Sequence, residues 1–219
     1  MEKRKKYLEL REKIVSCTKC RLRKGALQVV PGAGSLNAKV MFIGEAPGAN
    51  EDKQGVPFVG AAGKFLNTLL ESIDLNKNKV FITNVVKCRP PNNREPQPDE
   101  IEACKPWLDQ QIETVQPKIF VPLGRYALSL FLPNKKVSID HGKIFSIKNK
   151  HYFISYHPAV ALYRGSMREV LLEDFQKLKN FLNGKKESIQ PSSQVSDIIH
   201  SKAKYKSIIR NKDDRSLFT

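Results

Sequence analysis

Lys39-Val40-Met41-Phe42-Ile43-Gly44-Glu45-Ala46-Pro47-Gly48 is the stretch on which the fold turns. Its first half, apolar and partly β-branched, reads as a buried strand, and the Gly-Glu-Ala-Pro-Gly that follows cannot continue it. Val80–Asn84, Lys118–Leu123 and Tyr152–Ser155 have the same strand character. Helical patterns lie between them. Lys64–Ile73 sets Phe65, Leu66, Leu69, Leu70 and Ile73 on one face. Pro98-Asp99-Glu100 opens a second helix, with acids in its first turn, that runs through Ile101, Trp107, Leu108 and Ile112. Tyr126–Phe131 and Glu169–Leu182 supply two more. Strand alternating with helix implies a three-layer α/β/α fold around a central four-stranded parallel sheet.

The 219 residues suffice for one well-buried domain with an appendage. We place that domain at residues 1–183. Residues 184–219 read as a basic, flexible extension, with eight basic groups against four acidic ones and no sustained periodicity. No apolar run is long enough to span a bilayer, and the charged N-terminus has no apolar segment behind it. A cytoplasmic, monomeric protein with no membrane partner is expected. Lys and Arg number 38 against 22 Asp and Glu, a net charge of +16, which favours a polyanionic partner, most commonly nucleic acid. Residues 1–24 alone hold ten basic groups against three acids.

All four cysteines, Cys17, Cys20, Cys88 and Cys104, fall in the first half, as C-x2-C, a gap of 67 residues, then C-x15-C. Paired spacings in a reducing compartment point to metal binding rather than disulfides, and four thiolates from two segments can close one tetrahedral or iron–sulfur site. Four unrelated buried thiols are the plainer alternative.

Ligands of an open parallel sheet bind outside the carboxyl ends of its strands. The loops there gather Glu45, Glu51, Asn84, Asn93 and His157 at one edge. Gly63-Lys64 is no phosphate-binding P-loop, because Phe58 stands where its first Gly belongs and Phe65 where Ser or Thr belongs. By residue type the edge suits a base: Phe58 offers a stacking face, Asn84 a donor and an acceptor, and His157 a hydrogen bond to an oxygen gaining charge. Each has a structural alternative as core residue, turn former or buried histidine.

Gly44-Glu45-Ala46-Pro47-Gly48, Gly55-x-Pro57-Phe58-Val59-Gly60, Asn84-x-x-Lys87-Cys88-Arg89-Pro90-Pro91 and His157-Pro158-Ala159 together resemble the iron–sulfur, or family 4, uracil-DNA glycosylases. The resemblance runs from Cys17 to about Leu182. It implies a [4Fe-4S] cluster on Cys17, Cys20, Cys88 and Cys104, and uracil-containing DNA as partner. It also implies hydrolysis of the N-glycosidic bond, releasing free uracil and leaving an abasic site. On that reading Gly44, Glu45, Ala46, Phe58, Asn84 and His157 bind uracil. His157 and loop N–H groups face the charge of the leaving base, and Glu51, Asn93 or Glu45 orients the water. Many members have Gly where this chain has Ala46, a residue unable to polarise water. Leu162 or Tyr163 is expected to fill the gap left by a flipped base, with Arg164 on phosphate. A crosslinking superfamily member is the nearest alternative, disfavoured because Arg89–Pro98 contains no His. A zinc-bound, non-catalytic nucleic-acid-binding module is the alternative of another class. The end of the tail, Arg215–Thr219, is a possible docking segment for a sliding clamp.

Overall fold

The computed structural model describes residues 1–185 and the backbone of 189–191. Seven strands form one sheet: β1 (Ala33–Gly34), β2 (Val40–Gly44), β3 (Phe81–Asn84), β4 (Ile119–Pro122), β5 (Ile144–Ile147), β6 (Lys150–Phe153) and β7 (Ile189–Pro191). They lie in the order β1-β3-β2-β4-β6-β5-β7. The four strands expected from sequence form the continuous parallel centre, β3-β2-β4-β6. The expected total of four is therefore corrected by three edge strands. β1 has two residues, too few for a periodic signal, and pairs antiparallel with β3. β5 joins β6 through a tight turn at Lys148, whose φ of 48° is of the kind usually signalled by Asn-Gly rather than the Lys-Asn found here. β7 runs parallel to β5. It lies within the stretch assigned to the extension; apart from residues 184 and 185, the remainder of that stretch, including Arg215–Thr219, falls outside the described residues.

Nine helices accompany these strands among the described residues: α1 (Glu2–Val15), α2 (Leu22–Gly25), α3 (Ala49–Gln54), α4 (Ala61–Glu71), α5 (Pro98–Val115), α6 (Arg125–Phe131), α7 (Val137–Asp140), α8 (Val160–Tyr163) and α9 (Met167–Leu182). None is long and apolar enough to cross a membrane.

Alternation along the central strands divides the core in two. Met41, Ile43, Phe81, Phe120 and Tyr152 meet residues of α1, α5 and α6 on one face. Val40, Phe42, Ile82, Val121 and Phe153 meet α4 and α9 on the other. α1 appears in the sequence only as a basic segment. Three buried residues, Tyr7, Leu10 and Ile14, spaced three and four apart, seat it against α5 while the charges stay outside. α5 begins with Pro98 behind a capping box, in which the Gln97 and Glu100 side chains each bond the other residue's backbone N–H.

Chain order reverses about β2, since β3 lies on one side of it and β4 on the other. Such a reversal opens a crevice at the carboxyl edge of a parallel sheet. Phe175 of α9 packs between Phe42 and Phe153, with ring centroids 6.1 and 6.2 Å away. Because that ring is fully buried, Phe175→Ala is expected to cost about 3–5 kcal/mol in a denaturant titration. A loss below about 1 kcal/mol would mean that α9 does not seal this face.

Candidate active site

In-register pairing of β2 with β3 sets Gly44 directly opposite Asn84 at the strand ends. The Asn84 side chain is 1% exposed, and its Oδ1 accepts no hydrogen bond. An orphaned buried acceptor costs on the order of 1–3 kcal/mol unless something occupies the space it faces. Gly44 keeps that space open. A Cβ there would overlap Asn84 Oδ1 and come within 2.8 Å of the Phe58 ring.

Phe58 is buried with a left-handed φ of 53°, unusual for a bulky residue. Three features hold it there. Lys77 Nζ donates to the Phe58 carbonyl at 2.5 Å. Glu51 Oε1 accepts the N–H groups of Val59 and Gly60 at 2.9 and 2.8 Å. Gly63 has no side chain to collide with the Phe58 carbonyl, where any Cβ would overlap it. The Phe58 and His157 rings follow with centroids 5.6 Å apart and planes tilted by 30°. Gly44, Asn84, Phe58 and His157 thus adjoin one another in sequence around the end of the sheet.

Burial pushes the His157 pKa down to about 4, against the opposing pull of the Glu51 charge. The ring is therefore neutral near pH 7. Its Nδ1 accepts the Ala159 N–H at 3.2 Å, which leaves the single ring proton on Nε2. His157 is a fixed neutral donor.

The other expected residues divide. Glu45, half-buried just beyond Gly44, has its pKa pushed up to about 7 by burial and the charge of Glu95, with Arg125 acting oppositely. Glu95 itself bonds both Arg125 and the Tyr126 hydroxyl. Glu51 has one oxygen tied to the Phe58 loop. Asn93 is exposed in the Pro91–Asn93 turn, where Arg89 Nε donates to its Oδ1 at 2.7 Å; no hydrogen bond joins it to the pocket residues. Ala46 packs against the α5 side of the core. Leu162 and Tyr163 stand out from α8 at 44% and 86% exposure, and Arg164 follows them at the surface. Lys77 was not foreseen. Its position in a surface turn carries no sequence signal of contact with Phe58, 19 residues earlier.

Cys17, Cys20, Cys88 and Cys104 line one small, partly open cavity, together with Ile14, Val86 and Trp107. Among the described residues no three His, Cys, Asp or Glu side chains converge closely enough to hold a single metal ion. The sulfurs surround a space instead. Burial, then the neighbouring Cys104 and Cys20, pushes the Cys88 thiol up to about 12. Burial pushes Cys104 to about 11 against the charge of Lys87. Two donors aim at the sulfurs: Trp107 Nε1–H at Cys17 (3.1 Å) and the Lys87 N–H at Cys104 (3.3 Å). The first pair is held in place by Arg21, which reaches across to the fully buried Glu100 at 3.0 Å and to Asp99 at 2.8 Å. Arg94 completes the Glu100 pairing at 2.6 Å. Mutually coupled thiols met by N–H donors fit a polynuclear cationic centre.

Fold and site together define an α/β protein with an amide, an aromatic ring and an imidazole gathered at the carboxyl edge of its parallel strands. The family model described as the uracil DNA glycosylase superfamily matches residues 31–182. A type-4 uracil-DNA glycosylase of Sulfurisphaera tokodaii is 46% identical over 183 residues, covering 78% of this chain and 82% of that one. One of Saccharolobus solfataricus is 47% identical over 186 residues, covering 80% and 85%. One of Thermotoga maritima is 43% identical over 176, covering 78% and 92%. The chain belongs to the uracil DNA glycosylase superfamily, in its type-4 group.

The neutral His157 has a measurable signature. Its folded pKa of about 4 lies below the ordinary 6.5, so between those values the unfolded chain binds a proton that the folded chain refuses. The stability contributed by this residue is full above pH 6.5 and drains away as pH falls toward 4. Nitrogen-detected NMR of the ring at pH 5.5 is expected to report one proton, on Nε2. An imidazolium signal at that pH would contradict the assignment.

Proposed function

We propose that this protein is a DNA-repair enzyme that flips uracil out of DNA and hydrolyses its N-glycosidic bond. The observation that carries this reading is the buried, unpartnered Asn84 Oδ1 beside Gly44 and the Phe58 ring. Uracil presents an N3–H donor next to an O4 acceptor, and an amide side chain pairs with both: Oδ1 accepts from N3 and Nδ2 donates to O4. Phe58 stacks on the base. His157 donates from Nε2 to the oxygen that becomes negative as the bond lengthens. A neutral donor serves there because the charge appears only in the transition state, so its hydrogen bond strengthens when the barrier is crossed.

Water then adds to the electron-poor sugar carbon. Glu45 and Glu51 are the carboxylates assigned to orient it. Glu51 does so with the oxygen not tied to the Phe58 loop, and Glu45 accepts a proton when ionised, above about pH 7. Asn93 joins them only through a movement of its turn on binding DNA. Leu162 and Tyr163, exposed on α8 a few residues after His157, fill the space vacated in the duplex, and Arg164 contacts phosphate.

Cys17, Cys20, Cys88 and Cys104 would hold a [4Fe-4S] cluster, which supplies, when bound, a crosslink and a fixed local charge. The cavity they share and the N–H groups pointed at their sulfurs support a thiolate-held centre, and the type-4 resemblance selects the cluster over one zinc ion. The protein is proposed to act as a monomer in the cytoplasm. The domain division at residue 183, the basic extension and the docking of its end on a sliding clamp are proposed from composition alone.

Incubating purified, brown protein that absorbs near 400 nm with a uracil-containing oligonucleotide tests the reading. Free uracil and abasic DNA are expected over many turnovers. His157→Ala is expected to lower single-turnover excision about 10²–10³-fold while DNA affinity changes little. Covalent capture of the DNA, or equal losses of rate and affinity, would overturn it.

A further inference from the structure

Lys87 is the largest buried charge that the reaction above leaves unused. It is 1% exposed. Its ammonium group meets three acceptors: the Asn84 carbonyl at 2.6 Å, Thr83 Oγ1 at 2.8 Å and Gln111 Oε1 at 2.8 Å. An ammonium has three N–H donors, so every one is matched. Two of the acceptors belong to the end of β3 and the third to α5, the helix that carries Cys104. The same residue's backbone N–H donates to Cys104 Sγ at 3.3 Å, and its carbonyl accepts from the Val30 N–H at 2.7 Å. One residue therefore bonds the peptide of Asn84 with its side chain and a sulfur of the cysteine quartet with its backbone.

We propose that Lys87 is a positioning residue that couples the cysteine quartet to uracil recognition by Asn84. The inference rests on the reading of Asn84 as the base-reading amide and of the quartet as a cluster site. Asn84 sits at the last position of β3, its Oδ1 accepts no hydrogen bond, and the N–H of its peptide with Val85 donates to the Gly44 carbonyl at 2.9 Å. The Lys87 ammonium on the carbonyl is the second anchor of that peptide, opposite the bond to β2, and so helps to set the direction of the side chain. Cys104 bound in a cluster fixes the Lys87 backbone in turn. Loss of the cluster frees Cys104, lets the Val86–Cys88 segment shift, and slackens the hold on Asn84. The pocket is thereby tuned to uracil only while the cluster is in place, although no pocket residue touches a cysteine through its side chain.

Lys87→Met keeps an unbranched side chain, one atom shorter, and removes all three donors. The readout is uracil preference: the dissociation constant of a duplex carrying a stable abasic analogue, divided by that of one carrying non-cleavable 2′-fluoro-deoxyuridine. Iron content and absorbance near 400 nm are measured on the same samples. Lys87→Met is expected to keep its iron and its affinity for abasic DNA, and to lose about tenfold in uracil preference. Chelating iron from the wild-type protein is expected to give a similar loss, and chelating it from Lys87→Met no further one. If Lys87→Met does not fold, Thr83→Val, which removes one acceptor, is expected to show a smaller loss in the same sense. Unchanged preference in the folded variant, or losses by chelation and substitution that multiply, would overturn the coupling. A wild-type protein without uracil preference would overturn the functional reading and this inference with it, whereas a wild type without iron would overturn the cluster assignment and hence the coupling.

Discussion

The pairing of β2 with β3 is the constraint on which the site depends. Parallel register places Gly44 opposite Asn84, and every later feature of the pocket is arranged around that pair. Shifting the register by one residue would turn the Asn84 side chain to the other face of the sheet. The two cores prevent this. Phe42 and Ile82 are committed to one helical layer and Met41 and Phe81 to the other, so a slip would expose a complete apolar set. The same burial that holds the register removes water from Asn84 and lowers the His157 pKa. Stability and pocket chemistry have one origin here.

A second set of interactions brings the basic N-terminal segment to this edge. Glu100, fully buried at the start of α5, receives Arg94 from its own loop and Arg21 from the segment between the first cysteine pair and α2. A buried carboxylate with two guanidinium partners tolerates the loss of neither easily. Cys17 and Cys20 are in this way presented to Cys88 and Cys104 by charge pairing as well as by sulfur chemistry. Because Cys88 follows Asn84 by four residues, a centre held by these sulfurs would staple the strand end that bears Asn84.

Much of this was legible in the sequence. The four parallel strands were visible because fully buried strands are short, apolar runs bounded by turn residues, and their ends shifted by only one or two positions. The edge strands were not, since two-residue β1 has no pattern and β5 turns into β6 without Asn-Gly. α1 was hidden because its apolar residues are few and its charges many. Within the site, residue type pointed to Phe58, Asn84 and His157, which the structure places next to one another. It did not distinguish a carboxylate facing the pocket from one holding a loop. Glu51 is largely committed to the backbone of Val59 and Gly60, and Asn93 lies outside the hydrogen-bonded group. Lys77 and Lys87 look like ordinary surface charges in a basic chain; their significance is in acceptors distant along it, such as Phe58 and Gln111.

The central claim is that the gap beside Gly44 is the seat of uracil. Gly44→Ala tests it most directly, because one methyl group would fill that gap and press on Asn84 Oδ1 and the Phe58 ring. Single-turnover uracil release is measured beside affinity for abasic DNA and the melting temperature. The account predicts a loss of excision of at least about 100-fold, equivalent to roughly 2.7 kcal/mol, with abasic-DNA affinity retained and melting lowered modestly by the overlap. A Gly44→Ala protein that releases uracil at close to the wild-type rate would contradict it.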